Sequence, residues 1–236
     1  PSLPKEILIA LDFETTGLSR GDTIVEVGAV KFSLGNSTTD TFEQLVNPSR
    51  PITNSYFHGI TNSDVTGEPG LHDAWNQFLV WADDFDGIVA HNAHFEKRFI
   101  KDLALRIPGT IEYIDTLQLA RKTYRLENYK LVTVCEHIRY PLENAHRALP
   151  DALACVAVIR DIAFREPSLV GNFIDEKEAE QARKREATRR RKETKEKEAE
   201  LARKREARQR RKEEKEKEAE LARKREARRL RKEKKE

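Results

Sequence analysis

Two acids, Asp12 and Glu14, close the apolar stretch ILIALDFETTG. Two residues apart on an extended strand, they point to the same side. Like charges held together repel unless a cation lies among them. Two further segments place acids near element ends. AHNAHFEKRF sets Glu96 at the start of a helix, just after an apolar strand. HRALPDA sets His146 in a loop, five residues before Asp151, where an apolar helix begins. Four carboxylates and one imidazole suit two-metal phosphodiester cleavage. Carboxylate oxygens match hard Mg2+ or Mn2+ ions, and an imidazole, which ordinarily titrates near neutrality, can take a proton from attacking water. His91, His94 and Glu96 do not read as a zinc site, because no fourth ligand has sensible spacing.

The elements that must carry these groups follow from hydrophobic periodicity. Residues 6–12, 23–32 and 38–46 read as strands, with a turn at Ser19–Thr23 between the first two. LHDAWNQFLVWADDF aligns Leu71, Trp75, Phe78, Leu79 and Ala82 on one helix face. GIVAHN is a short buried strand leading to a helix over about 95–105, and IEYIDT is another strand leading into LQLARKTY. Helices over roughly 130–138 and 147–164 complete the body. Strands first, then strands alternating with helices, predict an α/β fold with a mixed sheet flanked by helices. Cys135 and Cys155 lie in apolar helical patterns, as small core residues rather than a disulfide or zinc pair. Nothing resembles a signal peptide or a membrane span, so a cytoplasmic, reducing setting without a membrane partner is expected.

From Glu176 the composition changes. Three 20-residue repeats, beginning EKEAEQARKREATRRRKETK, contain no Gly or Pro and carry Glu-first i,i+4 pairs such as Glu200/Lys204. This segment holds 28 Lys and Arg against 17 Asp and Glu, a net of +11, while residues 1–175 carry a net of −8. Twenty residues turn a helix by roughly 2000°, so successive apolar patches fall on nearly opposite sides and form no coiled-coil seam. The pattern predicts a second region over 171–236, a long, charged, single α-helix about 90 Å in length. Its arginine-rich faces suit contact with a polyanion backbone, without aromatics for reading bases. A flexible charged extension is the alternative.

DFETTGL, HNAHFE and HRALPDA, in this order, resemble the three motifs of the DEDDh (DnaQ-like) 3′–5′ exonucleases, the group of the polymerase III proofreading epsilon subunit and RNase T. The resemblance spans roughly residues 5–165, with TIVEVGAVKF, FHGITNSDV and IDTLQLAR as lesser features. It implies an RNase H-like domain over 1–170 and two divalent cations, Mg2+ or Mn2+. Asp12 would bind both cations, Glu14 and Asp151 the one holding the catalytic water, and Glu96 would complete the metal set. His146 would be the general base. Thr15, Thr16 and Gly17 would meet the terminal nucleotide, and Leu18, His58, Asn92 and Phe95 match positions lining its pocket. For His58 and Asn92 loop hydrogen bonding is the competing role, and for Phe95 core packing.

The second motif commonly has Asp where this chain has Glu96, a displacement of about 1.5 Å for the carboxylate. Three readings follow: an exonuclease on single-stranded or frayed DNA, an exoribonuclease on the same scaffold, or a non-catalytic nucleic-acid-binding adaptor in which Glu96 spoils the site. Because the body passes straight into the charged repeats, polymerase association is left open.

Overall fold

The computed structural model describes residues 6–107 and 111–171. The charged segment, with the single helix and second domain expected for it, lies outside the described residues. Five strands, β1 (Leu8–Thr15), β2 (Ile24–Phe32), β3 (Thr39–Leu45), β4 (Gly87–Ala90) and β5 (Glu112–Asp115), form one sheet in the order β3-β2-β1-β4-β5. β1 to β3 pair antiparallel, while β4 and β5 run parallel to β1, as crossover helices require. The helices are α1 (Ser55–His58), α2 (Leu71–Ala82), α3 (His94–Asp102), α4 (Thr116–Thr123), α5 (Leu131–Ile138) and α6 (Ala148–Arg165).

Strand alternation divides the core into two layers. Ile9, Leu11 and Phe13 of β1 join α2 and α3 residues such as Trp75, Phe78 and Phe99 on one face. Leu8 and Ala10 join α4, α5 and α6 on the other, with Cys135 and Cys155 among them as buried free thiols. The same alternation puts Asp12 and Glu14 on the α6 side. Leu71 and Leu79 are partly buried against the α2 layer, so the helix face read from the sequence is the packed one.

β1 continues past the acids to Thr15, three residues beyond the expected end. Pairing with β2 persists through Asp12↔Gly28 and Glu14↔Glu26, and the register breaks only between Glu14 and Thr15. The acids therefore sit inside a paired strand, which fixes their direction more firmly than a loose sheet edge would. α3 stops at Asp102, short of the expected Leu105, where Ala104 takes positive φ. The one-turn α1 has too few residues for a periodic signal. Among the described residues no helix is long and apolar enough to cross a membrane.

Candidate active site

β1 delivers Asp12 and Glu14, and α6 delivers Asp151 from its first turns. Pro150 sits in the first turn of α6, where its missing N–H costs no helical bond. Carboxylate oxygens of Asp12, Glu14 and Asp151 all lie within 4.8 Å of one another, and all three residues are half-buried. This hard-oxygen set fits a divalent cation. The Asp151 Oδ1 atom adds to the fit, being buried with no hydrogen-bond partner in the structure.

Glu96 stands apart from that trio. It opens α3 just beyond β4, is 2% exposed, and leaves its Oε2 buried without a partner. It is near enough to act on Asp12 electrostatically. Burial raises the Asp12 carboxyl well above the usual range, and Glu96, Asp151, Glu14 and Glu26 push it further. Burial, then Asp151 and Glu26, carries Glu14 to about 8, with Arg147 opposing. Glu96 is carried to about 8 by burial, with Asp115 adding to the rise, and Asp151 to about 6, again chiefly by burial. Without a cation this is a cluster of acids that resist ionising together.

His146 is exposed at the rim, with φ +67, and its backbone N–H donates to Asp151 Oδ2 at 3.2 Å. A non-glycine residue in the left-handed region is sparsely populated and tends to occur where a side chain must be aimed. Asn92 shares the property at φ +75, and its N–H donates to Asp115 Oδ1 at 3.1 Å.

The nucleotide-pocket candidates divide. Thr15 and Thr16 are buried, and the Thr16 hydroxyl is committed to structure: it donates to Asp22 Oδ1 at 2.9 Å and accepts from Thr23 N–H at 3.1 Å. Asn54 donates to the Thr15 carbonyl at 2.8 Å, tying α1 to the end of β1. A Cβ at Gly17 would lie 2.6 Å from Asp22 Oδ2, so only glycine lets this loop close on Asp22. Leu18 projects outward, 73% exposed, its carbonyl held by Arg98 at 2.8 Å. His58 is buried, accepts from Ile60 N–H at 3.1 Å, and has its pKa lowered by burial. Phe95 packs against the α2 layer and against Phe99, so core packing is at least part of its role. His91 has Nδ1 paired with Thr116 Oγ1 at 2.9 Å and Nε2 with the Tyr129 carbonyl at 2.8 Å. Both ring nitrogens are engaged by partners within the protein.

A family model described as exonuclease (RNase_T) matches residues 9–159. The chain belongs to the DnaQ-like exonuclease family. Within it, the chain is 36% identical over 185 residues to the PolC-type DNA polymerase III of Caldanaerobacter subterraneus subsp. tengcongensis, covering 73% of this chain and 13% of that one. With the Thermotoga maritima PolC-type polymerase it is 38% identical over 150 residues, covering 61% of this chain and 11% of the other. The chain thus spans only about an eighth of these relatives. A fold match comes from E. coli Exonuclease I in complex with a dT13 oligonucleotide, at TM-score 0.61 and 16% identity, covering 72% of this chain and 44% of that one.

This DnaQ-like chain also holds residues beside the candidate site that motif reading missed. Glu26 is fully buried between the two acid-bearing elements, and Arg147 pairs with it. A lone acid inside the apolar run TIVEVGAVKF was the available signal. Asp115 was also missed; it caps α4 through Leu117 N–H and receives Asn92 N–H.

Proposed function

We propose that the chain is a divalent-cation-dependent 3′–5′ exonuclease, removing nucleotides from single-stranded or frayed DNA ends. The convergence of Asp12, Glu14 and Asp151 oxygens within 4.8 Å, beside an exposed His146, carries this reading. Asp12 would contact both of two Mg2+ or Mn2+ ions, Glu14 and Asp151 the one nearer the attacking water. When bound, such ions stabilise the charge developing on the attacking and leaving oxygens of an in-line displacement. His146, at the solvent rim, would take the proton from the attacking water through its ring nitrogen. Glu96 would complete the acidic set from the α3 side, its extra methylene letting it reach toward Asp12 from a buried helix start.

The terminal nucleotide would rest against the loop after β1. The backbone at Thr15, Thr16 and Gly17 meets its 3′ end, and Leu18 is pressed against a base. His58, Asn92 and Phe95 line the sugar and base pocket. DNA is favoured because the PolC-type relatives are DNA polymerases and the Exonuclease I match is a complex with a deoxyoligonucleotide. The basic segment from Glu176 would attract the polyanion without setting specificity. A cytoplasmic setting belongs to the same proposal.

The deciding experiment incubates 5′-labelled single strands of identical DNA and RNA sequence with Mg2+ or Mn2+, with Asp12→Ala as control. Shortening of the DNA strand from its 3′ end, lost in the control and with chelator, supports the proposal. Preference for the RNA strand would make the chain an exoribonuclease. No shortening of either, with binding retained, would make it an adaptor.

A further inference from the structure

Glu26 is unusual among the acids here: it is 0% exposed and lies in a strand otherwise composed of apolar residues and one lysine. Its carboxylate is fully occupied. Arg147 Nε donates to Oε1 at 3.0 Å and to Oε2 at 3.1 Å, and a terminal guanidinium nitrogen reaches Oε1 as well. The N–H of Ala148, first residue of α6, donates to Oε2 at 2.8 Å. On the outer side Arg147 also reaches Glu43 of β3 at 3.4 Å. One carboxylate on β2 thus grips both the residue before α6 and the first amide of the helix.

What the grip sets is the active site. Arg147 follows His146 directly, and its carbonyl accepts the N–H of Asp151 at 3.1 Å as one of the opening bonds of α6. The Asp151 side chain in turn accepts His146 N–H. Across the sheet Glu26 faces Glu14 and Gly28 faces Asp12. The start of α6 is therefore fastened to β2 in the same two register steps at which β1 presents its acids. Replacing this ion pair with a well-packed apolar pair would not be expected to weaken the fold, because a buried ion pair often adds little net stability over one. A buried acid beside three others is a poor choice for stability and a good one for holding a helix start in one place.

We propose that Glu26 and Arg147 are positioning residues, a β2-to-α6 clamp that fixes His146 and Asp151 against Asp12 and Glu14. The proposal rests on the exonuclease reading, and its chemistry is that of alignment: neither residue needs to touch substrate. A displacement of about 1 Å in such a site costs on the order of 100-fold in rate. Changing a group that orients metal ligands costs on the order of 10-fold or more in metal affinity.

The test compares Glu26→Gln, Arg147→Lys, Arg147→Ala and the double variant Glu26→Gln/Arg147→Ala in the full chain. Readouts are Mn2+ affinity by calorimetry, kcat and KM on an oligonucleotide, and melting temperature. Glu26→Gln is expected to lose about 10-fold in Mn2+ affinity and about 100-fold in kcat, with KM within about two-fold. Arg147→Lys should fall between the parent and Arg147→Ala, and the double variant should be no worse than Arg147→Ala alone. If Glu26→Gln does not fold, the lysine and alanine variants of Arg147, whose side chain is 37% exposed, carry the comparison. Variants that melt earlier yet keep Mn2+ affinity and kcat would reduce the pair to a structural ion pair and overturn the proposal. A parent chain that cleaves nothing would sink the exonuclease reading, while the Mn2+ titration would still decide the clamp.

Discussion

Gly28 stands opposite Asp12 in the β1–β2 register, and the backbone of α6 fills the space a side chain there would need. A Cβ on Gly28 would lie 2.1 Å from the Ala148 carbonyl carbon and 2.2 Å from Leu149 N. The close approach is what brings Asp151 down to the β1 acids. Gly28→Ala cannot be absorbed by a side-chain rotation, because the obstacle is backbone. Overpacking of this kind costs about 1–3 kcal/mol or more, and the helix start must lift. We expect Gly28→Ala to lose about 100-fold in kcat together with a lowered urea midpoint. Parent-like turnover would mean that α6 can shift without disturbing the acids.

Glu96 provides a second prediction, in which stability and activity move oppositely. Its buried carboxylate has an unpartnered oxygen and raises Asp12. Glu96→Gln keeps the volume and removes the charge, so at pH 8 without divalent cation it should melt later than the parent while losing turnover. Glu96→Asp withdraws the carboxylate toward α3 by about 1.5 Å and should slow turnover by about 10- to 100-fold rather than raise it. An accelerated Glu96→Asp variant would show that the glutamate is a handicap the surroundings have not accommodated.

Motif residues were legible because each sits within a few residues of an element end, where local periodicity stops and a charge stands out. Asp12, Glu14, His146 and Asp151 all announce themselves in this way. The clamp did not, because Glu26 and Arg147 are 121 residues apart and no local pattern links a strand acid to a loop arginine over that distance. The positions of the strands along the chain and the amphipathic face of α2 followed from periods of two and 3.6. The extension of β1 through Glu14 did not, since its cause lies in pairing with β2 rather than in its own composition. Thr16 shows the remaining gap: the motif names the residue, but only the fold shows its hydroxyl donating to Asp22.

Asp22 therefore yields a third prediction. Its two oxygens take the Thr16 hydroxyl and, at 2.8 Å, the Ser19 N–H, closing the loop that carries Gly17 and Leu18. Asp22→Ala would leave that loop without its internal brace but leave the metal-facing acids untouched. KM for an oligonucleotide should rise several-fold with kcat nearly unchanged, which is the signature of lost ground-state and transition-state binding alike. A fall in kcat at constant KM would instead tie the loop to alignment of the reacting groups.

The acid cluster also makes stability depend on pH. Glu14 and Glu96 both bind their protons up to about pH 8 in the fold, against an ordinary glutamate value of 4.5. Over that window the native chain holds more protons than the unfolded chain, so its stability must fall as pH rises. Their contribution is fully present below the unfolded value and lost as pH passes through about 8. A divalent cation bound by the same oxygens competes with the protons, and its stabilisation grows as they leave. The cation-free protein should therefore melt progressively earlier from pH 5 to pH 8, while the rise in melting temperature on adding Mn2+ should be small at pH 5 and largest at pH 8. Substituting Asp12→Asn removes one charge from the repelling set and should flatten both trends. Parallel melting curves with and without Mn2+ across this range would mean that the acids do not share an ion.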